Sequence, residues 1–589
     1  MMNKRLQYIL LSSVFLSAFG GYAQKQDQNI GTEVVNVVKP YTPTISDAFK
    51  VKETPSLDDE ETTKRETIQY TIFSFPVAST FTPAKGKAAA VEQDPKARLF
   101  SNYATLAAGN YGNVNGELFL NHNFEDGNYF GLMLRHLSSQ GGIKNVELED
   151  KFSNTGLDLT YGGKSSTMSW AAEGGFQRQA YRWYGINSYF TEGLTSEQAD
   201  LFYSGIEPKQ VYQTLYAGGR VGFNQGAFKE AMLRFTRFSD RFDSAENRVV
   251  LKPSFAFPVA GENIGLDVVF DYLNGSFARS YVGATEINYG FANIAIQPSF
   301  QLTDGDFSAQ LGAAFFYSAA TEGGESRFFV YPKINVSYKV VGDIMVAYAG
   351  AEGNLKQNSY RDFVQENFFV SPTLAIAPTD QKYDVFVGLK GKLANTIGYN
   401  VRASYLTEDN RALFTSNVYD SFSTNPNGYI WANSFNIVYD KLNTLQVFGE
   451  LKADISKNVQ WSGQATISSF STDAQAEAWN LPALEMRSAI DVVFTPKWYA
   501  GASVFFVGER KDQFRYTDDS AVVQPTFITR DITLKSFIDL NAHVGYKHSD
   551  RITFFLRGHN LTNQNYQRWF NYPVQGIQLL LGAHFKFDF

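Results

Sequence analysis

The chain ends on the stretch PVQGIQLLLGAHFKFDF, residues 573–589, in which two kinds of side chain alternate. From residue 577 onward the apolar side chains share one parity and the polar side chains share the other, with Leu580 as the one exception. Successive side chains of a strand point to opposite faces, so one face of this segment is apolar and the other is polar. The pattern predicts a strand of a membrane-spanning β-barrel.

The same alternation occurs along earlier segments, such as 445–454, 538–546 and 552–559. The 589 residues are 44% hydrophobic and 15% aromatic, yet no apolar run of about eighteen residues follows the first 23. Membrane helices are therefore excluded, and a closed barrel is the remaining way to cross a bilayer. We expect an all-β fold, a transmembrane antiparallel up-and-down β-barrel with a polar lumen.

Short and long connections alternate between the predicted strands, as tight inner turns and longer outer loops do in such barrels. Ten inner turns and two termini on the same side predict about 22 strands. The predicted inner turns are 125–128, 162–165, 224–227, 258–263, 303–306, 340–343, 393–397, 455–458, 495–497 and 547–551. The predicted longer outer loops are 138–151, 186–207, 355–381, 408–443, 473–481, 511–535 and 562–574.

The beginning of the chain has a different character. Residues 1–23 have a basic start, an apolar stretch and small residues before Gln24, which predicts a cleaved secretory signal peptide. Residues 24–96 are polar and rich in proline, which predicts an extended periplasmic arm. The barrel is expected to occupy residues 97–589. These segments predict a multi-pass protein of the outer membrane of a Gram-negative bacterium, with both termini periplasmic.

The C-terminal region resembles TonB-dependent receptors, which carry an Asn-Leu-x-Asn-x-x-Tyr segment and a Tyr-Pro-x-x-Gly segment before the last strand. The matching residues are Asn560, Leu561, Asn563, Tyr566, Tyr572, Pro573 and Gly576. A final strand that ends on an aromatic also looks like the assembly signal of outer-membrane barrels, carried here by Phe585, Phe587 and Phe589. The resemblance implies a 22-stranded barrel and transport of a ligand. One departure is Ile577, where the family often has arginine.

A larger departure concerns the plug domain of more than a hundred residues that family members fold inside the barrel. The arm is shorter than that and shows no plug-like motif. Its Thr32, Glu33, Val34, Val35 and Val37 resemble the family's energy-coupling box, or they form a docking segment. Two functions therefore stay open: ligand transport, and a plug-less structural subunit of an outer-membrane complex that docks through its arm and outer loops.

A 22-stranded barrel is normally plugged, so something must fill the lumen. The candidates are the arm, another protein, and inward-folded outer loops such as 355–381 or 408–443. Aromatic residues near the outer side could stack on sugars or pack on a partner, but we assign Trp183 and Tyr572 to the outer aromatic girdle.

Other functions find little support. The chain has no cysteine and a net charge of -7, which gives no basis for lipid attachment, thiolate metal sites or nucleic-acid binding. The expected partners are membrane lipids and a periplasmic or outer-membrane protein. Polar residues of the last three strands could support acid, base or metal chemistry, but they are typical of a lumen lining, so we predict no enzyme and no cofactor. These residues are Asp539, His543, Arg557, His559, His584, Lys586 and Asp588.

Overall fold

The computed structural model describes residues 99–259, 262–421, 423–518 and 526–588. The barrel strands are β1 (Asn102–Gly109), β2 (Val114–Asn123), β3 (Asn128–Ser139), β4 (Phe152–Lys164), β5 (Met168–Arg182), β6 (Lys209–Phe223), β7 (Phe228–Ser239), β8 (Ala245–Val259), β9 (Glu262–Phe277), β10 (Ile287–Asp304), β11 (Phe307–Ala320), β12 (Arg327–Val341), β13 (Met345–Lys356), β14 (Thr379–Ala394), β15 (Ile397–Ser416), β17 (Phe435–Ser456), β18 (Val459–Thr472), β19 (Leu484–Val493), β20 (Trp498–Val507), β23 (Phe537–Lys547), β24 (Ile552–His559) and β27 (Gln578–Phe587). The predicted signal peptide, the predicted arm with Thr32 to Val37, and Phe589 lie outside the described residues.

The connections contain shorter elements. The short strands are β16 (Val418–Tyr419), β21 (Arg510–Asp518), β22 (Thr526–Leu534), β25 (Gln567–Trp569) and β26 (Tyr572–Pro573). The helices are α1 (Ser196–Ser204) and α2 (Tyr360–Glu366), with single 3-10 turns at Asn110–Gly112 and Ser188–Phe190. Within the described ranges, neither helix has the length and apolarity needed to cross a membrane.

One closed sheet of 22 antiparallel strands forms the barrel. Each strand pairs with the next along the chain, and β1 closes the ring against β27, from Asn102 opposite Phe587 to Gly109 opposite Leu580. Closure gives the backbone groups of every strand a partner, which a bilayer requires. The predicted fold class and strand number are confirmed.

The alternation read from the sequence matches the two faces of the wall. Outward side chains are large, apolar and exposed, for example Leu106 at 66%, Val387 at 60% and Leu581 at 67%. Inward side chains are largely polar, and several form ion pairs between strands that are adjacent or separated by one strand. These include Arg135 with Asp158 at 2.6 Å, Arg402 with Asp384 at 2.6 Å, and Arg234 with Glu173 at 3.2 Å. The expected polar lumen is present.

Three inward-facing apolar residues pack together where the barrel closes. Leu580, the exception in the last strand, forms a buried cluster with Phe555 of β24 and Ala107 of β1. These three residues lie on the three strands where the ring closes, so they mark an apolar contact at the seam.

The ten predicted inner turns coincide with or overlap the short connections at one end of the barrel. The turn predicted at 162–165 lies at 165–167, because β4 continues to Lys164. At the other end, the predicted loop 408–443 is too long. There β15 and β17 remain paired from Arg411 opposite Asp440 to Ser416 opposite Phe435, so the loop is only 417–434. The predicted loop 511–535 contains the hairpin of β21 and β22.

The close packing at the seam leads us to predict that the substitution Gly582→Ala destabilises the barrel. A Cβ at Gly582 would lie 2.6 Å from the Cβ of Ala107 and 2.6 Å from the carbonyl oxygen of Leu106, and would also collide with the Phe555 ring. Since the carbonyl belongs to the closing strand, we expect destabilisation of about 1 to 3 kcal/mol. Urea unfolding followed by heat-modifiable gel mobility measures it. The control is Gly116→Ala in β2, where a Cβ meets nothing within 4 Å; equal effects of the two changes would contradict this account.

Candidate functional site

The end of the barrel with the long connections is covered by a buried aromatic cluster. We call the described residues of 183–208, 357–378, 417–434, 508–536 and 560–577 the cap. Side chains of the cap and of the adjoining strand ends form a single hydrophobic cluster. Its fully buried aromatic members are Trp183, Tyr212, Phe238, Phe277, Tyr360, Tyr429, Phe435 and Tyr572. Trp183 and Tyr572 were predicted in the outer girdle; that prediction is wrong, because both rings pack inside the cap.

One connection, residues 357–378, crosses the lumen, and we call it the strap. It leaves the wall at Lys356 of β13 and returns at Thr379 of β14, which are paired with each other. Between these points it contacts strands far around the ring: Asn293 of β10 donates to Gln357 at 2.6 Å, and Gln365 donates to Gln179 of β5 at 2.9 Å. The predicted loop 355–381 thus supplies part of the lumen filling, as the sequence suggested.

The strap contains α2, whose first turn is held by an acidic residue of the wall. Ser359 caps the helix by accepting from the Asp362 backbone N–H at 3.0 Å. Glu246 of β8 accepts from the backbone N–H groups of Tyr360 at 2.7 Å and Arg361 at 3.3 Å. A carboxylate is stabilising at a helix N-terminus, where unpaired N–H groups and the helix dipole both favour negative charge. Glu246 therefore fixes the start of α2 against the wall.

Tyr360 is the central apolar contact of the strap. Its ring is fully buried, with centroids 4.9 Å from Phe277 and 5.2 Å from Phe238 in edge-to-face arrangements. Its hydroxyl donates to Asp240 Oδ2 at 2.8 Å. Tyr360 therefore anchors the strap, because its aromatic ring is buried and its hydroxyl has a hydrogen-bond acceptor.

An arginine of β8 adds a charged contact. Arg248 forms a double hydrogen bond with Asp271 of β9, at 2.8 and 2.6 Å, and its remaining Nη1 donates to Asp362 of the strap at 3.2 Å. A guanidinium engaged on both sides in this way is held in one orientation.

The far part of the strap packs on strand ends and on another cap segment. Phe368 stacks on Tyr181 with ring centroids 3.9 Å apart, and Phe369 stacks on Tyr572 at 3.7 Å. Ser371 donates its backbone N–H to the carbonyl oxygen of Phe435 at 2.9 Å. The strap therefore joins one side of the barrel to the connection that precedes the last strand.

The family-like C-terminal residues build that last connection. Asn560 adopts a positive φ of 48° and donates to the carbonyls of Gln564 and Gln575, each at 2.8 Å. Tyr566 stacks on Phe537 at 3.9 Å. The Tyr572 hydroxyl donates to the carbonyl of Asn433.

Neighbouring residues of the motif fix its return to β27. Asn563 accepts from the Ile577 backbone N–H at 3.3 Å, and a Cβ on Gly576 would meet the Asn563 side-chain oxygen at 2.6 Å. Leu561 donates its backbone N–H to the Leu540 carbonyl, and Pro573 accepts from the Tyr184 hydroxyl. Farther along, the rings of Phe585 and Phe587 stack at 5.5 Å near the end of β27.

The polar residues considered for catalysis are dispersed among separate partners. Asp539 accepts from Tyr566 at 2.9 Å, and His584 lies 2.6 Å from the Thr105 hydroxyl. His559 pairs with Asn541 at 3.2 Å, while His543 lies 3.9 Å from Asp491. The Arg557 Nη2 lies 3.5 Å from the Nε2 of His584. Lys586 lies opposite Tyr103 in the seam, and Asp588 accepts from the backbone N–H of Ser101. In the part of the chain that the structure describes, no group of three or more acidic or histidine side chains is placed to hold a metal ion.

Two acidic groups of the cap, and Asp240 in the connection between β7 and β8, have raised pKa values because they are buried. Burial raises the pKa of Asp240, Glu366 and Asp512, and that of Asp512 reaches about 6. Asp512 remains hydrogen bonded, accepting from the backbone N–H groups of Ser416 at 3.1 Å and Gln513 at 2.7 Å, which favours the carboxylate and opposes the burial effect.

These shifts predict that the cap is held more firmly at acidic pH. A carboxyl whose pKa is raised by folding contributes stability that is fully present below its ordinary pKa of about 4 and is lost as the pH rises through its folded value, about 6 for Asp512. For Asp512 the difference is roughly 2 to 3 kcal/mol. We expect fewer channel openings in a planar bilayer at about pH 4.5 than at about pH 7.5. Asp512→Asn should weaken that dependence; more openings at the lower pH would contradict the assignment.

The comparisons with known proteins support the fold. No known protein family and no curated protein matches this sequence. Solved structures do match. The ferric-catecholate import receptor Fiu from E. coli K12 matches with 13% identity and a TM-score of 0.59, and the match covers 83% of this chain and 82% of that one. A ferripyoverdine receptor of the outer membrane of Pseudomonas aeruginosa matches with 12% identity, TM-score 0.60 and coverage of 84% and 72%. The copper transporter OprC matches with 10% identity, TM-score 0.56 and coverage of 84% and 81%.

The fold is therefore that of the large outer-membrane receptor barrels, and the resemblance to TonB-dependent receptors is confirmed at the level of the barrel. The matched proteins are described as receptors and a transporter.

Proposed function

We propose that this chain is an outer-membrane transport barrel whose passage is gated by the strap. The observation that carries the proposal is a polar, 22-stranded lumen crossed at one end by a segment of the same chain, held by buried contacts to the wall. The receptors and the transporter that share its fold support ligand transport as the general function. The strap would then block the path of the solute, because the path opens only when the strap leaves the barrel wall.

We further propose that the long connections face outward and both termini face the periplasm. The signal peptide predicted at 1–23 and the arm predicted at 24–96 support this orientation. In this arrangement the cap meets the external medium, and the arm presents Thr32 to Val37 to a periplasmic or outer-membrane protein. The terminal aromatics Phe585, Phe587 and Phe589 would direct assembly of the barrel.

The orientation predicts the labelling of tags on intact cells. Epitope tags inserted within 143–149 or 526–534 should be labelled from outside, because these segments belong to long connections. A tag at 305–306, in a short turn, should be labelled only after the outer membrane is permeabilised. Labelling of the short turn on intact cells would reverse the proposed orientation.

The transport function can be tested without knowing the ligand. Cells lacking this chain are grown beside complemented cells, and the solutes that remain in the medium are identified by mass spectrometry. Transport predicts at least one solute that only the complemented cells deplete. An unchanged medium, with a protein that co-purifies stoichiometrically from native membranes, would instead favour the structural subunit.

The arm provides a second discrimination between the two functions. Complementation with a barrel lacking residues 24–66 should abolish solute depletion without changing protein association if the arm couples energy to transport. If the arm docks a structural partner, the same deletion should leave a folded barrel that loses that partner. Heat-modifiable mobility verifies folding in both cases.

A further inference from the structure

Six aromatic rings of the cap contact one another in a continuous network that is only partly buried. We call this network the aromatic patch; it consists of Tyr189, Phe190, Phe202, Tyr203, Tyr419 and Trp431. Phe190 lies 4.7 Å from Tyr419, which stacks on Trp431 at 5.4 Å. Phe202 of α1 lies 4.9 Å from Trp431 and 5.3 Å from Tyr203. Tyr189, 5.4 Å from Phe190, is 38% exposed, so part of this aromatic surface is accessible.

The segment that carries α1 adds exposed leucines beside the aromatic patch. Leu201, next to Phe202 in α1, is 75% exposed, the highest fraction of any large apolar side chain in the described part of the chain. Leu194, just before the N-cap Thr195, is 41% exposed. Both leucines belong to a connection between β5 and β6, so the lipid-facing wall does not explain their exposure. Apolar side chains that gather on an exposed surface mark a site of interaction.

The two connections that supply the aromatic patch carry negative charge. Residues 183–208 contain no lysine or arginine, and their acids are Glu192, Glu197, Asp200 and Glu207, all of them exposed. Residues 417–434 contain Asp420 and likewise no lysine or arginine. Glu197 precedes Leu201 by four residues, so both lie on one face of α1. Glu207 pairs with Arg241 at 3.6 Å, and Arg530 lies over the ring of Tyr516, next to Tyr189 rather than at α1. The acidic charge is therefore concentrated around the exposed leucines.

This charge decides which kind of surface can cover the aromatic patch. A second copy of this chain would bring the same acids against each other in a symmetric contact, and an anionic lipid surface would repel them in the same way. A small ligand binds in a concave site, whereas Leu201 stands on the surface. A polypeptide surface with lysine or arginine around apolar side chains is complementary to the patch in both charge and apolar character.

We propose that the aromatic patch, together with Leu194 and Leu201, is a docking surface for another polypeptide that presents apolar side chains among lysine or arginine residues. The leucines and the exposed aromatic surface are buried on docking, which supplies the driving force. The acids around them attract the basic partner and make its association sensitive to salt. The contact involves neither the strap nor the solute path, so it does not depend on the transport function proposed above.

The test is photo-crosslinking of the full-length chain in its native cells. The photoreactive residue p-benzoylphenylalanine replaces Leu201, or Leu194 if the first barrel lacks heat-modifiable mobility, and the crosslinked segment is identified by mass spectrometry. We expect an adduct with another polypeptide, at a segment in which lysine or arginine flanks apolar residues. Glu197→Lys combined with Asp200→Lys places like charges opposite the basic partner and should reduce the adduct by about tenfold or more.

Matched controls use the connection between β11 and β12, which also carries exposed acids. Glu322→Lys combined with Glu325→Lys reverses two exposed charges there and should leave the adduct unchanged. The photoreactive residue at position 325, where the side chain is 80% exposed, should give no such adduct. The proposal is overturned if position 201 gives no adduct, or if position 325 gives an equal one. It is also overturned if the adduct is with lipid, with a second copy of this chain or with a segment that lacks basic residues.

Discussion

Replacing the strap by a two-residue Asn-Gly turn is expected to convert the barrel into a pore with large, long-lived openings in a planar bilayer. Lys356 and Thr379 are paired neighbours, so a tight hairpin turn can join them without disturbing β13 or β14. The remaining wall would keep its 22 strands, and barrels of about 16 to 18 strands already enclose an aqueous channel. Removing the segment that crosses the lumen should therefore raise conductance more than any single substitution.

The control is a shortening of a different connection, residues 321–326, which joins β11 and β12. Such a barrel should stay as closed as the original, because the strap and its anchors on β8 and β10 remain. Heat-modifiable mobility of both variants verifies folding. If the barrel without its strap stays closed, the lumen must be sealed by other parts of the chain, and the gating role of the strap fails.

Much of the barrel could be predicted from the sequence because the alternation that identifies a membrane strand is visible in consecutive residues. Alternation follows from the lipid on one face and water on the other, since a charged residue at the lipid-facing midplane costs about 2 to 4 kcal/mol. Outside the bilayer that constraint ends. In the paired extension from Arg411 opposite Asp440 to Ser416 opposite Phe435, the apolar side chains of Phe414, Phe435 and Ile437 pack in the buried cluster of the cap instead of facing lipid, and the segment was read as loop.

The structure of the strap could be predicted only in part from the sequence. Ser359 followed by Tyr360, Phe363 and Val364 carries a helix N-cap and an apolar face at the spacing of a helix, a signal that the sequence interpretation missed. Its anchors could not be inferred, because Glu246 and Asp240 lie 114 and 120 residues away from Tyr360 along the chain. No local pattern encodes such long-range pairing.

The direction in which aromatic residues at strand ends point could not be predicted from local sequence either. Trp183 directly follows β5, and Tyr572 lies in the last long connection, positions that suit the girdle of a barrel. Whether such a ring faces lipid or folds inward depends on which connections meet above the lumen. Here Gly185 allows the Tyr572 ring to approach the backbone closely, since a Cβ at that position would lie 2.5 Å from the ring.

Tyr360→Ala should loosen the strap by about 3 to 5 kcal/mol, the usual cost of removing a fully buried aromatic ring from a packed core. The change deletes the contacts with Phe238 and Phe277 and leaves Asp240 without its hydroxyl donor. Since about 1.4 kcal/mol corresponds to a tenfold change in an equilibrium, the population of open channels should rise by roughly a hundredfold or more. Single-channel recording measures this population directly.

Two further variants distinguish the contribution of the Tyr360 ring to channel closure from the contributions of its hydroxyl and of the barrel wall. Tyr360→Phe keeps the packing and loses one hydrogen bond, so it should cost about 1 kcal/mol and raise opening by less than about tenfold. Tyr317→Ala removes the same side chain from the lipid face of β11, where it is 48% exposed, and should leave the channel closed. Because the sheet pairing is independent of the strap, Tyr360→Ala should also keep its heat-modifiable mobility. Equal opening in Tyr360→Ala and Tyr317→Ala would mean that the wall, rather than the strap, controls the passage.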